Sequence, residues 1–311
     1  MNKQKQAECE ADDNLVQVYP EDSERFKLES LAYRFLGTIP DAEDAVQETY
    51  LRWYKLPHSE RKQIISPIAW QRTTLTRICF DKLKSAKSKR EIYIGEWLPE
   101  PVSQDESWTS VFESSEGTDP VDHLILANSV SMALMVVLEK MTPAERISFI
   151  LHDVFQYSFE EISEIVRRTP QACRQLASSG RKRIGQESHF TRPSAEHSRV
   201  NAAFRAAWVT GNIKDLVAVL DEHAYAVTDG GGFVSAATEP LFGRDAIINF
   251  FLSAFERRSD LRIEDAVVNG EPGLIGKVDD RTITVISTCV REGRICDIWV
   301  MRNPEKLTGW N

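Results

Sequence analysis

The chain has 311 residues, an apolar content of 42% and a formal net charge of −9, which suits two or three soluble domains and excludes a disordered chain or a uniformly basic nucleic-acid coat. The charge is uneven, because residues 61–90 carry nine basic side chains against one acid, Asp81, and residues 167–183 carry six with no acid. No apolar run approaches the roughly 18 residues of a bilayer span, the first residues lack a signal-peptide core, and Cys9, Cys79, Cys173, Cys289 and Cys296 have no zinc-site spacing, so a cytoplasmic protein with reduced thiols is expected.

Along the chain, the first block reads as helical. Leu28, Leu31, Ala32, Phe35 and Leu36 form one stripe, and Ala42, Ala45, Val46, Tyr50 and Trp53 another. Pro40 and Asp41 open the second helix, where acids suit the helix dipole. A third helix starts near Pro67, with Ile68, Leu75, Ile78, Cys79 and Leu83 interleaved with Arg72, Arg77, Lys82, Lys84 and Lys87. From Glu96 to Thr118 the period vanishes, which marks a linker. It holds Trp97, Leu98 and Trp108, so it is expected to touch another part of the molecule. Helix is expected again from Pro120 to about Lys140, and Thr142 to Glu145 forms a capping box opening a further helix to about Asp153.

Residues 157–184 then spell two helices joined by a tight turn. Thr169 is a good N-cap and Pro170 a good first helical residue. Cys173, Leu176, Ala177, Gly180 and Ile184 make one face of the second helix, and Gln171, Arg174, Gln175, Ser178, Arg181 and Lys182 the other. The pattern fits a helix-turn-helix that offers its polar face to a major groove. A solvated basic face is the alternative on these residues alone. Arg168 sits in the turn where glycine is common, and a left-handed backbone there would carry strain. Trp70 and Phe80 beside the earlier basic stripe suit strand-separated DNA, although Trp70 reads equally well as core.

After Gln186 a helical segment, residues 196–220 with a break at Gly211 and Asn212, leads to short strand-like runs and one helix from Arg244 to Phe255. These imply a separate α+β unit with a curved antiparallel sheet. His223, Asp221, Asp229 and Asp297 are the general-base types present, with His223 read as a surface or helix-end residue. The DGGG run at Asp229 to Gly232 reads as a turn or a small anion-accepting nest, since no phosphate-loop pattern follows it.

Residues 31–54 closely resemble region 2 of sigma-70-type factors of the extracytoplasmic-function class, residues 67–91 resemble the remainder of that region, and residues 141–182 resemble region 4. GEWLPEPV in the linker, DGGG, and NPEKL at residues 303–307 resemble the subgroup with a fused C-terminal SnoaL-like domain, although Phe233 stands where that subgroup often has Lys. The resemblance implies a multidomain fold: region 2 at residues 1–95, a linker at 96–119, region 4 at 120–187 and a cone-shaped SnoaL-like domain at 196–307.

It also implies roles. Asp41, Glu43, Asp44, Gln47 and Glu48 would grip core RNA polymerase, whose β′ and β subunits are the implied partners. Trp70, Arg72, Thr73, Arg77, Lys82, Lys84 and Lys87 would melt and read the −10 element of promoter DNA, and Thr169, Gln171, Arg174, Gln175, Ser178, Arg181 and Lys182 the −35 element. Family members of this design use the extension in place of a separate anti-sigma factor. Because WLPEP, DGGG and NPEKL are sharply patterned yet fit no catalytic or DNA role, Trp97, Leu98, Pro99, Asp229, Gly230, Gly231, Gly232, Asn303 and Pro304 are expected to join the C-terminal domain to the linker and regulate in cis. No catalytic residue, metal or cofactor is implied. The alternative is a DNA-binding regulator, or an enzyme whose SnoaL-like domain binds or converts a small apolar ligand.

Overall fold

The computed structural model describes residues 22–90, 93–103, 130–186, 195–237, 239–258 and 260–311. The linker from residue 104 onward, with Trp108, the expected helical start at 120–129, and Cys9 lie outside them.

The N-terminal helices are α1 (Asp22–Leu36), α2 (Ile39–Lys55), a single turn α3 (His58–Arg61) and α4 (Pro67–Arg90). The stripes read from sequence are buried, Tyr50 only partly, whereas Ile68 at the start of α4 faces solvent. After the linker come α5 (Met132–Glu139), α6 (Pro143–Phe149), a π turn (Ile150–Val154), α7 (Phe159–Val166) and α8 (Pro170–Gln186). The helix expected from 120 to 140 does not run unbroken. Ser131 is extended (φ −51°, ψ 146°) and caps α5 by accepting the Leu134 amide, while the Val130 carbonyl is taken by Asn269 of the C-terminal unit.

Both capping boxes, Thr142 with Glu145 and Ser158 with Glu161, are closed at the starts of α6 and α7. In the turn between α7 and α8 the left-handed residue is Arg167 (φ 57°), not Arg168. Arg168 instead donates its amide to the Ser163 carbonyl, which helps close the C-terminus of α7.

One apolar core runs through α1, α2 and α4 into α5 to α8. The helix α4 packs directly on α6 and α7. Arg146 of α6 is buried, donates 2.7 Å bonds to the Phe35 carbonyl of α1 and to Glu139, and is held at a pKa of about 9 by loss of solvent.

The C-terminal unit starts with α9 (Ala195–Val209) and α10 (Ile213–Val219), broken at Gly211 as expected, with Asn212 capping α10. Then follow β1 (Leu220–Asp229), β2 (Leu241–Phe242), α11 (Arg244–Arg257), β3 (Arg262–Val268), β4 (Glu271–Val278), β5 (Arg281–Arg291) and β6 (Arg294–Met301). The sheet order is β2-β1-β6-β5-β4-β3, and β1 pairs parallel to β6. The sheet is therefore mixed, because β1 reaches β6 from the opposite end of the chain segment rather than through a hairpin.

The helices α9 to α11 cover one face of the sheet. On the other face Val227, Val285, Trp299, Met301 and Leu307 pack with Leu98 of the linker and with Met132 and Ala133 of α5. Both faces are covered, which explains why β6 (RICDIWVM) is buried at every residue but its first instead of alternating. Among the described residues, no helix is long and apolar enough to cross a membrane.

Candidate functional site

The helix-turn-helix has the geometry its sequence requires. Thr169 Oγ1 accepts the Ala172 amide at 3.2 Å, fixing the start of α8. Cys173, Ala177 and Gly180 are buried against the preceding helices, and a Cβ at Gly180 would stand 2.9 Å from that of Phe149. Thr169, Gln171, Arg174, Gln175, Ser178, Arg181 and Lys182 are all exposed on the opposite side. Two of the cations are steadied by the protein: Arg174 lies 5.2 Å over the Phe159 ring, and Arg181 bonds Asp153 at 2.6 Å. The helix α8 carries no acid of its own, yet two lie beside it in space: Asp153 at Arg181, and Glu145, which accepts from Ser179 at 2.6 Å and lies 3.7 Å from Arg183.

On α4, Arg77 and Lys84 are exposed, while Trp70, Arg72, Thr73 and Lys82 are half-buried. Trp70 stacks obliquely on Trp53, ring centres 5.2 Å apart, so it partly serves the core. Lys84 lies 3.7 Å over the Phe80 ring. The side chain of Lys87 lies outside the described ones. On α2, Asp41, Glu43, Asp44 and Gln47 are exposed, and the half-buried Glu48 pairs with Arg52. Lys82 reaches Asp41 at 3.5 Å and Asp44 at 3.8 Å, joining the basic helix to the acidic one.

The third assembly lies where residues 93–103 cross between the helical part and the sheet. Asp229, wholly buried at the end of β1, accepts the Tyr93 hydroxyl at 2.6 Å, the Leu98 amide at 2.9 Å and the Gly231 amide at 3.0 Å. Lys306 completes its shell at 2.8 Å, donates to the Leu98 carbonyl at 2.6 Å and sits 4.1 Å over the Trp97 ring. Asn303 donates to the Tyr93 hydroxyl at 2.9 Å and caps the terminal turn by accepting the Glu305 amide. Pro304, next to it, is exposed, whereas Pro99 and Gly230 are buried.

Gly231 has φ +63°, and a Cβ there would stand 2.4 Å from the Asn303 amide nitrogen, so this glycine is required by both backbone and space. Gly232 and Phe233 are exposed. Burial, then the bond to Asp229, pushes the Tyr93 hydroxyl pKa well up, so it stays a donor.

Residues 93–103 form a strap that is held equally on its other side. The Tyr33 hydroxyl of α1 donates to the Glu100 carbonyl at 2.7 Å, and the Glu100 carboxylate accepts the Ile39 amide at 2.8 Å. Asn269, between β3 and β4, accepts the Val102 amide and donates to Tyr33 Oη and the Val130 carbonyl at 3.0 and 2.8 Å. The Asn269 amide itself donates to the Val102 carbonyl, and Ser103 bridges Val268 in antiparallel fashion. Trp310 Nε1 closes the row on the Pro101 carbonyl at 3.0 Å.

Sequence reasoning found the motifs of this contact but missed Tyr93, Tyr33, Asn269 and Trp310. Lys306 lies inside the NPEKL run that it singled out.

The general-base types are dispersed in role. His223 is exposed, on strand β1 rather than at a helix end, and Asp229 is committed to the strap. Asp297 lies at a β-bulge with Cys289 and Cys296, the three offering ligand atoms within 4.8 Å of one another. Hydrogen bonding to Cys296, then burial, raises the Cys289 thiol pKa.

Residues 23–89 match the family model for sigma-70 region 2, and residues 131–184 that for sigma-70 region 4. The chain is 35% identical over 299 residues to the ECF RNA polymerase sigma factor SigJ of Mycobacterium tuberculosis, covering 92% of this chain and 91% of the relative. It is 29% identical over 285 residues to the probable ECF RNA polymerase sigma factor SigI of the same species, covering 91% and 92%. The crystal structure of M. tuberculosis SigJ superposes with a TM-score of 0.71 at 31% identity, covering 93% of this chain and 97% of that one. The chain belongs to the extracytoplasmic-function sigma factors of the sigma-70 family, alternative sigma factors that direct transcription initiation.

Proposed function

We propose that this cytoplasmic sigma factor is restrained in cis by its C-terminal domain, with residues 93–103 as the strap through which the restraint acts. In this reading the boundaries are those expected from sequence: region 2 at 1–95, linker at 96–119, region 4 at 120–187 and the SnoaL-like domain at 196–307. The acids of α2 grip core polymerase, α4 reads the −10 element and the exposed face of α8 reads the −35 element.

The observation that carries the restraint is the packing of α4 directly on α6 and α7 within one core. Elements about 25 base pairs apart are separated by roughly 85 Å along straight duplex at about 3.4 Å per pair. Two readers packed on each other do not reach both. Opening requires α4 and the helix-turn-helix to part, and the strap, bonded to α1 by Tyr33 and to the C-terminal unit by Asp229, Asn269 and Lys306, opposes that parting. Such a device serves where a separate anti-sigma factor otherwise would, and nothing in it calls for catalysis.

The test is run-off transcription with core polymerase and a set of promoter fragments. Promoter-specific transcripts are expected from the full chain, with yield at limiting polymerase raised by Lys306→Met or by deleting the tail from Asn303. Unchanged yield from both variants refutes the restraint, and absence of polymerase-dependent transcripts on every promoter refutes the roles given to α2, α4 and α8.

A further inference from the structure

A cavity of about 540 Å³ opens into the C-terminal unit on the sheet face away from the strap, a size typical of small-molecule sites. Its walls are apolar: Trp208 of α9, Phe250 and Phe251 of α11, Leu261, and Ile286 and Val300 of the sheet. Small residues and the hydroxyls of Ser235 and Thr284 fill much of the rest, and Arg257, Arg258 and Arg302 border it, with no acid among the described lining residues.

Burial, then the neighbouring charges of Arg258 and Arg257, lowers the pKa of Arg302. The side chain of Arg302 donates to the Ser235 carbonyl, and Arg257 bonds Ser253, both neutral partners. Among the described residues only Arg258 of the three has an acid, Asp260, at 3.7 Å, and both of those side chains are more than half exposed. Three cations thus face one weakly held anion. Inside the cavity Thr284 is 5% exposed, and its Oγ1 has no hydrogen-bond partner. A buried hydroxyl left so is costly unless a bound group satisfies it.

We propose that this cavity binds an amphipathic carboxylate, its apolar body between Trp208 and the sheet and its head among the three arginines. A guanidinium meets a carboxylate with paired hydrogen bonds, and a neutral apolar molecule would leave the arginine repulsion uncompensated. The cavity and the strap share their chain segments. The Arg302 amide donates to the Asp229 carbonyl at 2.7 Å, and the Val234 amide donates to the Gly230 carbonyl at 3.3 Å. Occupancy therefore bears on the residues that hold Leu98 and Tyr93.

The proposal rests on reading the C-terminal domain as regulatory, and its test uses the full chain without polymerase, so its outcome is separate from the transcription assay. Decanoate, 1-decanol and acetate are titrated by calorimetry. Decanoate is expected to bind at least roughly tenfold tighter than decanol, acetate not to bind, and Arg302→Gln to weaken decanoate roughly tenfold. Arg258→Gln, at a more exposed position, guards against misfolding of the first variant and is expected to weaken decanoate severalfold. Equal affinity for decanoate and decanol, or no loss in either variant, overturns the site. Unchanged hydrogen exchange of residues 93–103 at saturating decanoate overturns its link to the strap.

Discussion

Asp229 Oδ2 and Lys306 Nζ lie 2.8 Å apart with both side chains out of water, and the same carboxylate oxygen accepts the Leu98 amide. Breaking a buried ion pair from one side strands the other charge, at a cost of about 3–5 kcal/mol. Lys306→Met and Asp229→Asn are each expected to destabilise the C-terminal unit by about that amount in urea denaturation. The double variant is expected to lose less than the sum, because neither charge is then left alone. Strict additivity would show that the pair is not coupled.

Asn269 bonds three partners that belong to the strap, to α1 and to the start of α5, from a left-handed backbone at φ 54°. Glycine tolerates that conformation, so Asn269→Gly removes the side-chain bonds with little backbone strain. Each orphaned buried partner costs about 1–3 kcal/mol. The expected result is faster hydrogen exchange at Val102 and its neighbours with the secondary structure of the sheet intact. Unchanged exchange at Val102 would remove Asn269 from the contact.

The helical half was legible because its signals are local. The stripes of α1 and α2, the Thr142–Glu145 capping box and the Thr169-Pro170 start are each contained within a few residues, and each appears where it was read. The parallel pairing of β1 with β6 joins residues 220–229 to 295–301, and nothing within either strand encodes it. The strap was legible only in part. DGGG and NPEKL were visible as patterned runs, but Tyr33 and Tyr93 look like ordinary helix and linker aromatics until Glu100 and Asp229 are brought to them. The left-handed residue was misplaced by one because Arg167 and Arg168 are chemically identical, and only the bond from the Arg168 amide to Ser163 decides between them.

The exposed face of α8 divides from the basic residues of α4 in what it should read. Arg174 and Gln175 have the side chains for paired bonds to base edges, so replacing either with Ala is expected to cost roughly 1–3 kcal/mol of −35 discrimination. Lys84→Ala and Lys87→Ala are expected to weaken binding on all sequences alike and to lower its salt dependence. Competition binding on matched and altered −35 duplexes at two salt concentrations distinguishes the two classes. Equal losses on every sequence from both would refute the division.

His197 gives the C-terminal unit a defined acid sensitivity. It is 2% exposed beneath the sheet, and Thr288 donates its own hydrogen to Asn201 Oδ1, so the Thr288 oxygen accepts from His197 Nε2–H at 2.9 Å. Burial, only partly offset by the bond to Thr288, lowers its pKa from 6.5 to about 4. In the unfolded chain the imidazole takes a proton near 6.5, whereas in the native one it does so only near 4, so the unfolded state binds more protons between these values. Stability is therefore expected to fall as pH drops from about 6.5 to about 4, and this group contributes no slope above that window. His197→Gln loses packing and is expected to be less stable at neutral pH, but its stability should decline less steeply across the same window. Urea denaturation of both proteins at several pH values compares the slopes, and parallel profiles would mean that the ring titrates normally in the native protein.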